Sequence, residues 1–320
     1  MPLFLREGDV RGLLTMEDAL AAVEQAFRLK GQGKADNHPR QRPRLGRSML
    51  QVMPAAVSGT GLGLKAYTVA SRGVRCVVLL WDAETGDLQA VIEAGLMGQI
   101  RTGAASGIAT KHLARPDAET IGIFGTGSQA PAQLEAVCAV RSVKHILAYS
   151  HTPAHRERFA ETMSDLLGVT VEAARAPRDV VTEADIVITI TNAKEPLFNG
   201  DWLRPGAHIN AAGSNRADAR EIDARTIERA DLIVIDDVAQ GRIEAGDLIA
   251  AGRQGALEWN DVVELGQVVA GDAEVRRDDE SITLFESLGV AIEDVAVARY
   301  VYEQAVAQGV GESLPETILG

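Results

Sequence analysis

Glu119-Thr120-Ile121-Gly122-Ile123-Phe124-Gly125-Thr126-Gly127-Ser128-Gln129-Ala130 sets an apolar run of strand length directly before a Gly125-x-Gly127-x-x-Ala130 turn, and an apolar stretch of helical pattern follows. A bare glycine turn of this kind is common, but strand, turn and helix in this order form the arrangement that holds a dinucleotide. Gly125 permits the tight turn, Gly127 lets the backbone approach a pyrophosphate, and small Ala130 lets the helix pack close to the strand. Thr126, Ser128 and Gln129 complete the turn. The phosphates would lie over N–H groups at the helix start, where the helix dipole favours an anion.

Downstream of this turn, short apolar runs alternate with helical patterns, with strands expected at 120–124, 144–149, 169–173, 185–190, 207–211 and 231–236. That rhythm predicts a parallel, doubly wound sheet, an α/β domain of the Rossmann type. Upstream the pattern differs. Thr15-Met16-Glu17-Asp18 opens a helix as a capping box, and Gly31 and Gly33 close it. Residues 34–47 are polar and basic, with Arg40, Arg42, Arg44 and Arg47 around Pro39 and Pro43. Extended segments near 48–53, 62–69, 74–81 and 88–93, with a turn at Asp82–Asp87, predict an antiparallel meander. A helix rich in small residues, from about 95 to 114, leads to Arg115-Pro116-Asp117, where the change of pattern is read as a boundary. Two domains are expected: an α+β domain of residues 1–116, rejoined by 291–320 through the amphipathic stretch Ile292–Val306, and a Rossmann domain of residues 117–290.

The formal charge of −13, from 45 acidic and 32 basic residues, leaves no continuous basic face. It argues against nucleic acid or an anionic membrane as the partner and for a small molecule. No apolar run reaches the roughly 18 to 20 residues of a membrane span, and the start Met1-Pro2-Leu3, with Arg6, Glu7 and Asp9 close behind, is unlike a signal peptide. A cytoplasmic protein is expected. Cys76 and Cys138 have no metal or disulfide spacing and are read as reduced core residues, and the six histidines form no metal pattern.

In this fold the second strand ends beside the adenosine ribose, here Ala148-Tyr149-Ser150-His151-Thr152. An Asp or Glu there would hold both ribose hydroxyls and repel a 2′-phosphate, and none is present. Ser150 and Thr152 offer hydroxyls, while His151 and Arg156 offer cationic donors, so NADP(H) is favoured, with NAD(H) still possible. Later strands end at Thr191-Asn192 and at Gly213-Ser214-Asn215. Gly213 would allow close approach of the nicotinamide, with Ser214 and Asn215 facing the reacting atoms.

Two charges in the first domain would be odd as mere core. Lys65 interrupts an apolar strand, Gly63-Leu64-Lys65-Ala66-Tyr67, and Arg101 heads a small-residue helical stretch, Arg101-Thr102-Gly103-Ala104-Ala105. A charge in such a place is costly unless it is paired or used.

These residues, with Pro39-Arg40, Val52-Met53-Pro54-Ala55, Leu80-Trp81-Asp82-Ala83-Glu84-Thr85-Gly86, Gly125–Ala130, Gly213-Ser214-Asn215, Ile282–Gly289 and Glu293-Asp294-Val295, resemble the ornithine cyclodeaminase and mu-crystallin family, in family order over most of the chain. The resemblance implies a homodimer whose first domain, with the C-terminal tail, binds substrate and makes subunit contacts, while the second holds the nicotinamide cofactor. It implies that Arg40 and Arg101 grip a substrate carboxylate, with Arg42 an alternative to Arg40, that Lys65 handles a proton, and that Thr102 belongs with the cofactor residues. Where the cyclodeaminase pattern carries an Asp, this chain has Asn215, which cannot serve as a general base. The expected activity is therefore NAD(P)-dependent oxidoreduction of a C–N bond in a small imino or amino acid: reduction of a cyclic ketimine or interconversion of an amino acid and its 2-oxo acid. Cyclodeamination is the alternative, and cofactor-dependent ligand binding without turnover a further one.

Overall fold

Short-range signals account for the first elements of the computed structural model, which describes residues 1–71, 73–273, 275–276 and 278–315. After β1 (Leu3–Leu5) and α1 (Glu7–Leu13), helix α2 (Met16–Gly31) starts at the expected box. Thr15 Oγ1 accepts from Asp18 N at 3.2 Å, and Asp18 Oδ2 accepts from Thr15 N at 3.1 Å. The short strands β2 (Ala35–Asn37) and β3 (Arg44–Leu45) precede the meander of β4 (Ser48–Val57), β5 (Gly61–Ala70), β6 (Gly73–Trp81) and β7 (Leu88–Glu93), each antiparallel to the next. Its register pairs Met53 with Lys65 and Lys65 with Val78. Because side chains alternate across a strand, these three share one face. That face is buried, at 1%, 5% and 0% exposure, so the sheet itself carries Lys65 inward.

Helix α3 (Gly95–Leu113) leads into the second run of elements: β8 (Thr120–Phe124), α4 (Ala130–Val140), β9 (His145–Tyr149), α5 (Pro153–Leu167), β10 (Thr170–Ala173), α6 (Pro177–Thr182), β11 (Ile186–Thr189), β12 (His208–Ala211), α7 (Ala224–Arg229), β13 (Leu232–Ile235), α8 (Val238–Glu244), α9 (Gly246–Arg253), β14 (Val263–Glu264), α10 (Leu265–Ala270) and β15 (Thr283–Glu286). The strands pair in parallel in the order β10-β9-β8-β11-β12-β15-β13-β14, the expected doubly wound sheet with two strands more than the rhythm predicts. Both faces are covered, which is why the strands read as unbroken apolar runs. Ile121, Ile123, Ile186 and Ile188 pack with Leu134, Val137 and Phe159 on one side, and Phe124, Val187, Ile209 and Leu284 pack with Val180, Phe198 and Leu248 on the other.

The chain divides into two compact units, one of Met1–Arg101 with the chain from Val290 on, the other of Thr102–Gly289. The expected break at 116/117 is thus displaced into α3. Gly103 packs so tightly against α4 that a Cβ there would overlap the Ala132 carbonyl, and the Arg141 guanidinium donates to the carbonyls of Thr110, at 2.7 Å, and Ala114, at 2.8 Å, at the end of the helix. These contacts bind residues 102–114 to the second unit. Pro116 marks the end of the helix rather than of the unit. In the first unit, α11 (Ala291–Gln308) packs on β4, β5 and β6 and against α2, and β16 (Glu312–Ser313) pairs with β1. α11 comes close to the sheet at Gly63, where a Cβ would overlap the Val295 side chain.

Candidate functional site

In the first unit the meander and two helices bring four charges together. Lys65 on β5 and Arg101 on α3 are 5% and 6% exposed, and the carboxylates facing them, Glu293 and Asp294 on α11, are 0% and 1% exposed. Lys65 Nζ donates to Asp294 Oδ1 at 2.8 Å. The same oxygen lies 3.1 Å from Arg101 Nε, and Arg101 Nη1 donates to Glu293 Oε2 at 2.6 Å. Burial, then the neighbouring Arg101, lowers the pKa of Lys65, with Asp294 acting against both. Burial disfavours the charge of Arg101 too, but Asp294 and Glu293 outweigh it and keep the guanidinium cationic. Burial raises Glu293, opposed by Arg101.

Arg40 is 6% exposed, with Nε 3.2 Å from Sδ of Met53, the cross-strand partner of Lys65. Arg42 is more exposed and donates through Nε to Gln51 Oε1 at 3.2 Å, an oxygen that also accepts from Tyr67 Oη at 2.7 Å. Sequence reasoning singled out Lys65 and Arg101 but gave Glu293 and Asp294 no role. Their signal was two adjacent acids inside the apolar run Ala291-Ile292-Glu293-Asp294-Val295-Ala296.

The second unit holds a pocket of about 460 Å³ at the carboxyl ends of its central strands. Its wall gathers Gly125, Thr126, Gly127, Ser128, Gln129, Ser150, His151, Thr191 and Gly213, with Phe124, Tyr149, Asn192 and Leu197 among the rest. The three small residues behave as the turn requires. Gly125 has φ +108°, a conformation open to glycine, and a Cβ there would overlap the Ile190 carbonyl. A Cβ at Gly127 would meet nothing within 4 Å, so the backbone borders open space, and Ala130 is fully buried at the first residue of α4. The turn is thus packed tightly at Gly125 and open at Gly127. A cleft of about 540 Å³ lies at the amino ends of β13 and β15, with Asp231, Glu258 and Asp261 on its rim. No glycine is among its described lining residues, and the dinucleotide reading rests on the smaller pocket.

At the end of β9 the Arg156 guanidinium lies 5.1 Å from the Tyr149 ring centre and donates to the Ser150 carbonyl at 3.1 Å, while Ser150 Oγ donates to the Thr152 carbonyl at 3.3 Å. Thr152 and Arg156 are not among the wall residues, nor are Thr102, Ala130, Ser214 and Asn215. Ser214, expected to face the reacting atoms, is 7% exposed and donates to the Ala219 carbonyl at 3.2 Å. The Thr102 carbonyl accepts from Gln133 Nε2 at 3.3 Å. Cys76 and Cys138 are free, as expected, but half-buried rather than core, and burial pushes the Cys138 thiol up to about 11. Among the described residues no three His, Cys, Asp or Glu side chains are grouped to hold a metal, and no helix is long and apolar enough to cross a membrane.

Residues 2–309 match the ornithine cyclodeaminase/mu-crystallin family. A Delta(1)-pyrroline-2-carboxylate reductase of Bacillus cereus is 39% identical over 272 residues, 82% of this chain and 83% of that protein. The structure of Thermococcus litoralis Delta(1)-pyrroline-2-carboxylate reductase in complex with NADH and L-proline superposes with a TM-score of 0.93 at 36% identity, over 98% of this chain and all (100%) of that one. An archaeal alanine dehydrogenase dimer with bound NAD also gives 0.93, at 34% identity, over 98% and 99% of the two chains.

Proposed function

The chain belongs to the ornithine cyclodeaminase/mu-crystallin family, and from that premise we propose that it is a nicotinamide-dependent oxidoreductase acting on the C–N bond of a small carboxylate. The substrate class is a cyclic ketimine of the pyrroline- or piperideine-2-carboxylate kind, or the amino acid/2-oxo acid pair that an alanine dehydrogenase interconverts. The carrying observation is the buried set of Lys65, Arg101, Glu293 and Asp294. A planar guanidinium binds a carboxylate through two parallel hydrogen bonds, so Arg101, helped by Arg40, is assigned to the substrate carboxylate. Lys65 is assigned to the proton at the substrate nitrogen, because burial and Arg101 lower its pKa toward the range where it can release and recover that proton. Asp294 orients both cations from one oxygen. When bound, the cofactor supplies or accepts the hydride.

Gly125, Gly127 and Ala130 are assigned to the cofactor pyrophosphate, Ser150, His151, Thr152 and Arg156 to the adenosine ribose, and Thr191 and Gly213 to the nicotinamide half; Thr126, Ser128, Gln129 and Thr102 go with them. The Arg156 guanidinium and the His151 ring, with no acid at the end of β9, support NADP(H), although the two related structures above hold NADH and NAD. Asn215 disfavours cyclodeamination, since an amide cannot take a proton from an amine or water. The outward face of β4, β5 and β6 is apolar, with Leu50, Leu62 and Val77 exposed at 41%, 42% and 36%, and we assign it to a second copy in a cytoplasmic homodimer.

The test is a panel of 1-pyrroline-2-carboxylate, 1-piperideine-2-carboxylate, and pyruvate with ammonia, each with NADH and NADPH and followed by absorbance of the reduced cofactor. Net oxidation with at least one substrate is expected. Proline and ammonia formed from ornithine without net cofactor turnover would overturn the assignment. Arg156→Ala should lower kcat/KM for NADPH by about 10- to 100-fold and spare NADH, the size of a lost charge-assisted hydrogen bond.

A further inference from the structure

One buried carboxylate in the second unit gathers four donors. Glu221, fully buried in the loop between β12 and α7, accepts through Oε1 from Thr191 N and Thr191 Oγ1, both at 2.6 Å. Through Oε2 it accepts from Thr189 Oγ1 at 2.8 Å and Gly213 N at 2.7 Å. The β11–β12 ladder ends at Thr189 and Ala211, so Thr191 and Gly213 lie beyond it, and both line the pocket. The knot is held from behind. Asp247 Oδ1 accepts from the backbone N–H groups of Glu221 and Ile222, each at 2.8 Å, and the Glu221 carbonyl accepts from Leu197, another wall residue, at 2.8 Å. Gly213 leaves no space for a side chain, since a Cβ would overlap the Thr191 backbone.

Burying a carboxylate is costly, and burial pushes Glu221 up to about 7 against the hydrogen bonds from Thr191 and Thr189. The ladder already joins the strands, so what this charge adds is the fixed placement of the two residues past its end. In the order β9-β8-β11-β12, those residues lie on the side of the glycine turn away from β9, the nicotinamide side of such a fold. We propose that Glu221 is a positioning residue for the nicotinamide end of the cofactor, holding Thr191 and Gly213 as the wall that seats it. The inference rests on the dinucleotide reading of the pocket.

Glu221→Gln keeps the size of the side chain but turns an amide NH2 toward donors, so part of the knot loses its acceptor. The experiment measures binding of NADH and of ADP-ribose, which lacks the nicotinamide ring, with NADPH and 2′-phosphorylated ADP-ribose in parallel and the melting temperature recorded for each protein. Expected is a rise in Kd for the nicotinamide nucleotides of about tenfold or more, with the ring-free ligands within about twofold, the scale of losing one to two buried hydrogen bonds. Should Glu221→Gln not fold, Thr189→Val removes one donor while keeping its shape, and should weaken the nicotinamide nucleotides alone by about threefold. Equal weakening of both ligand classes, or of neither, overturns the assignment of Glu221. Failure of the unaltered protein to bind any of these nucleotides would instead overturn the dinucleotide reading itself.

Discussion

Replacing Asp294 by Asn removes the one charge that Lys65 and Arg101 share while keeping the shape of the side chain. Asp294 Oδ1 sits 2.8 Å from Lys65 Nζ and 3.1 Å from Arg101 Nε. At an effective dielectric of about 20, each attraction is worth roughly 5 to 6 kcal/mol before desolvation is subtracted. Breaking a buried pair of this kind costs about 3 to 5 kcal/mol net, a large part of the roughly 5 to 15 kcal/mol that a typical domain has. Chemistry should change as well as stability. Asp294 is the strongest influence keeping Lys65 protonated, so without it the pKa of Lys65, already lowered by burial and Arg101, falls further. In the reducing direction the active lysine is the protonated one, and activity is lost as pH rises through its pKa. In Asp294→Asn that loss should begin at lower pH than in the unaltered protein, so the falling limb of the pH–kcat profile should move to lower pH. Steady-state reduction of 1-pyrroline-2-carboxylate across pH, beside chemical denaturation, measures both effects. A pH profile superimposable on that of the unaltered protein, with stability alone reduced, would refute the role given to Asp294 and weaken that of Lys65.

Gly98→Ala separates activity from stability: Ala gains about 1 kcal/mol in a helix interior, yet its Cβ would lie 3.2 Å from Lys65 Nζ, so kcat should fall while the melting temperature holds or rises. Parallel falls in both would contradict that. Gly127→Ala should leave folding untouched, because its Cβ meets nothing within 4 Å, but raise KM for the dinucleotide about tenfold or more through lost backbone approach to the pyrophosphate; an unchanged KM would count against the cradle. Asp185 accepts from Glu119 N and Thr120 N, each at 3.1 Å, from Thr120 Oγ1 at 2.7 Å and from Arg115 at 2.7 Å, and although burial acts the other way these contacts lower its pKa below 3.8. A depressed carboxylate stabilises the fold above its unfolded pKa and loses that contribution as pH falls through the folded one. Asp185→Asn should therefore cost about 2 to 3 kcal/mol near neutral pH. The gap to the unaltered protein should close only below about pH 4, where denaturation curves at several pH values would show it; a gap that widened on acidification would contradict the assignment.

Much of the fold is legible because its rules are local. Gly125 is read correctly since its turn demands a φ, here +108°, that other residues rarely adopt. The parallel strands are read from apolar runs because helices cover both faces of the sheet. β14, two residues long, gives no run at all, and the place of β15 between β12 and β13 is a long-range pairing that no local pattern encodes. The unit boundary escapes for a similar reason. Sequence registers Pro116, where a helix must stop, whereas the division follows the packing of Gly103 on Ala132. In the site, Lys65 and Arg101 are visible as charges in apolar elements, but their partners lie 229 and 192 residues away along the chain. Glu221, in the polar stretch Asp218-Ala219-Arg220-Glu221, looks like a solvated loop acid, and only the packing of the loop beneath two strand ends buries it.

The most direct test of the account is the kinetics of Lys65→Met on 1-pyrroline-2-carboxylate with saturating reduced nucleotide, cofactor affinity being measured on the same protein. A proton-handling lysine predicts that kcat/KM falls by about 10²- to 10⁴-fold while nucleotide affinity stays within about twofold. Reduction at the unaltered rate would contradict the account.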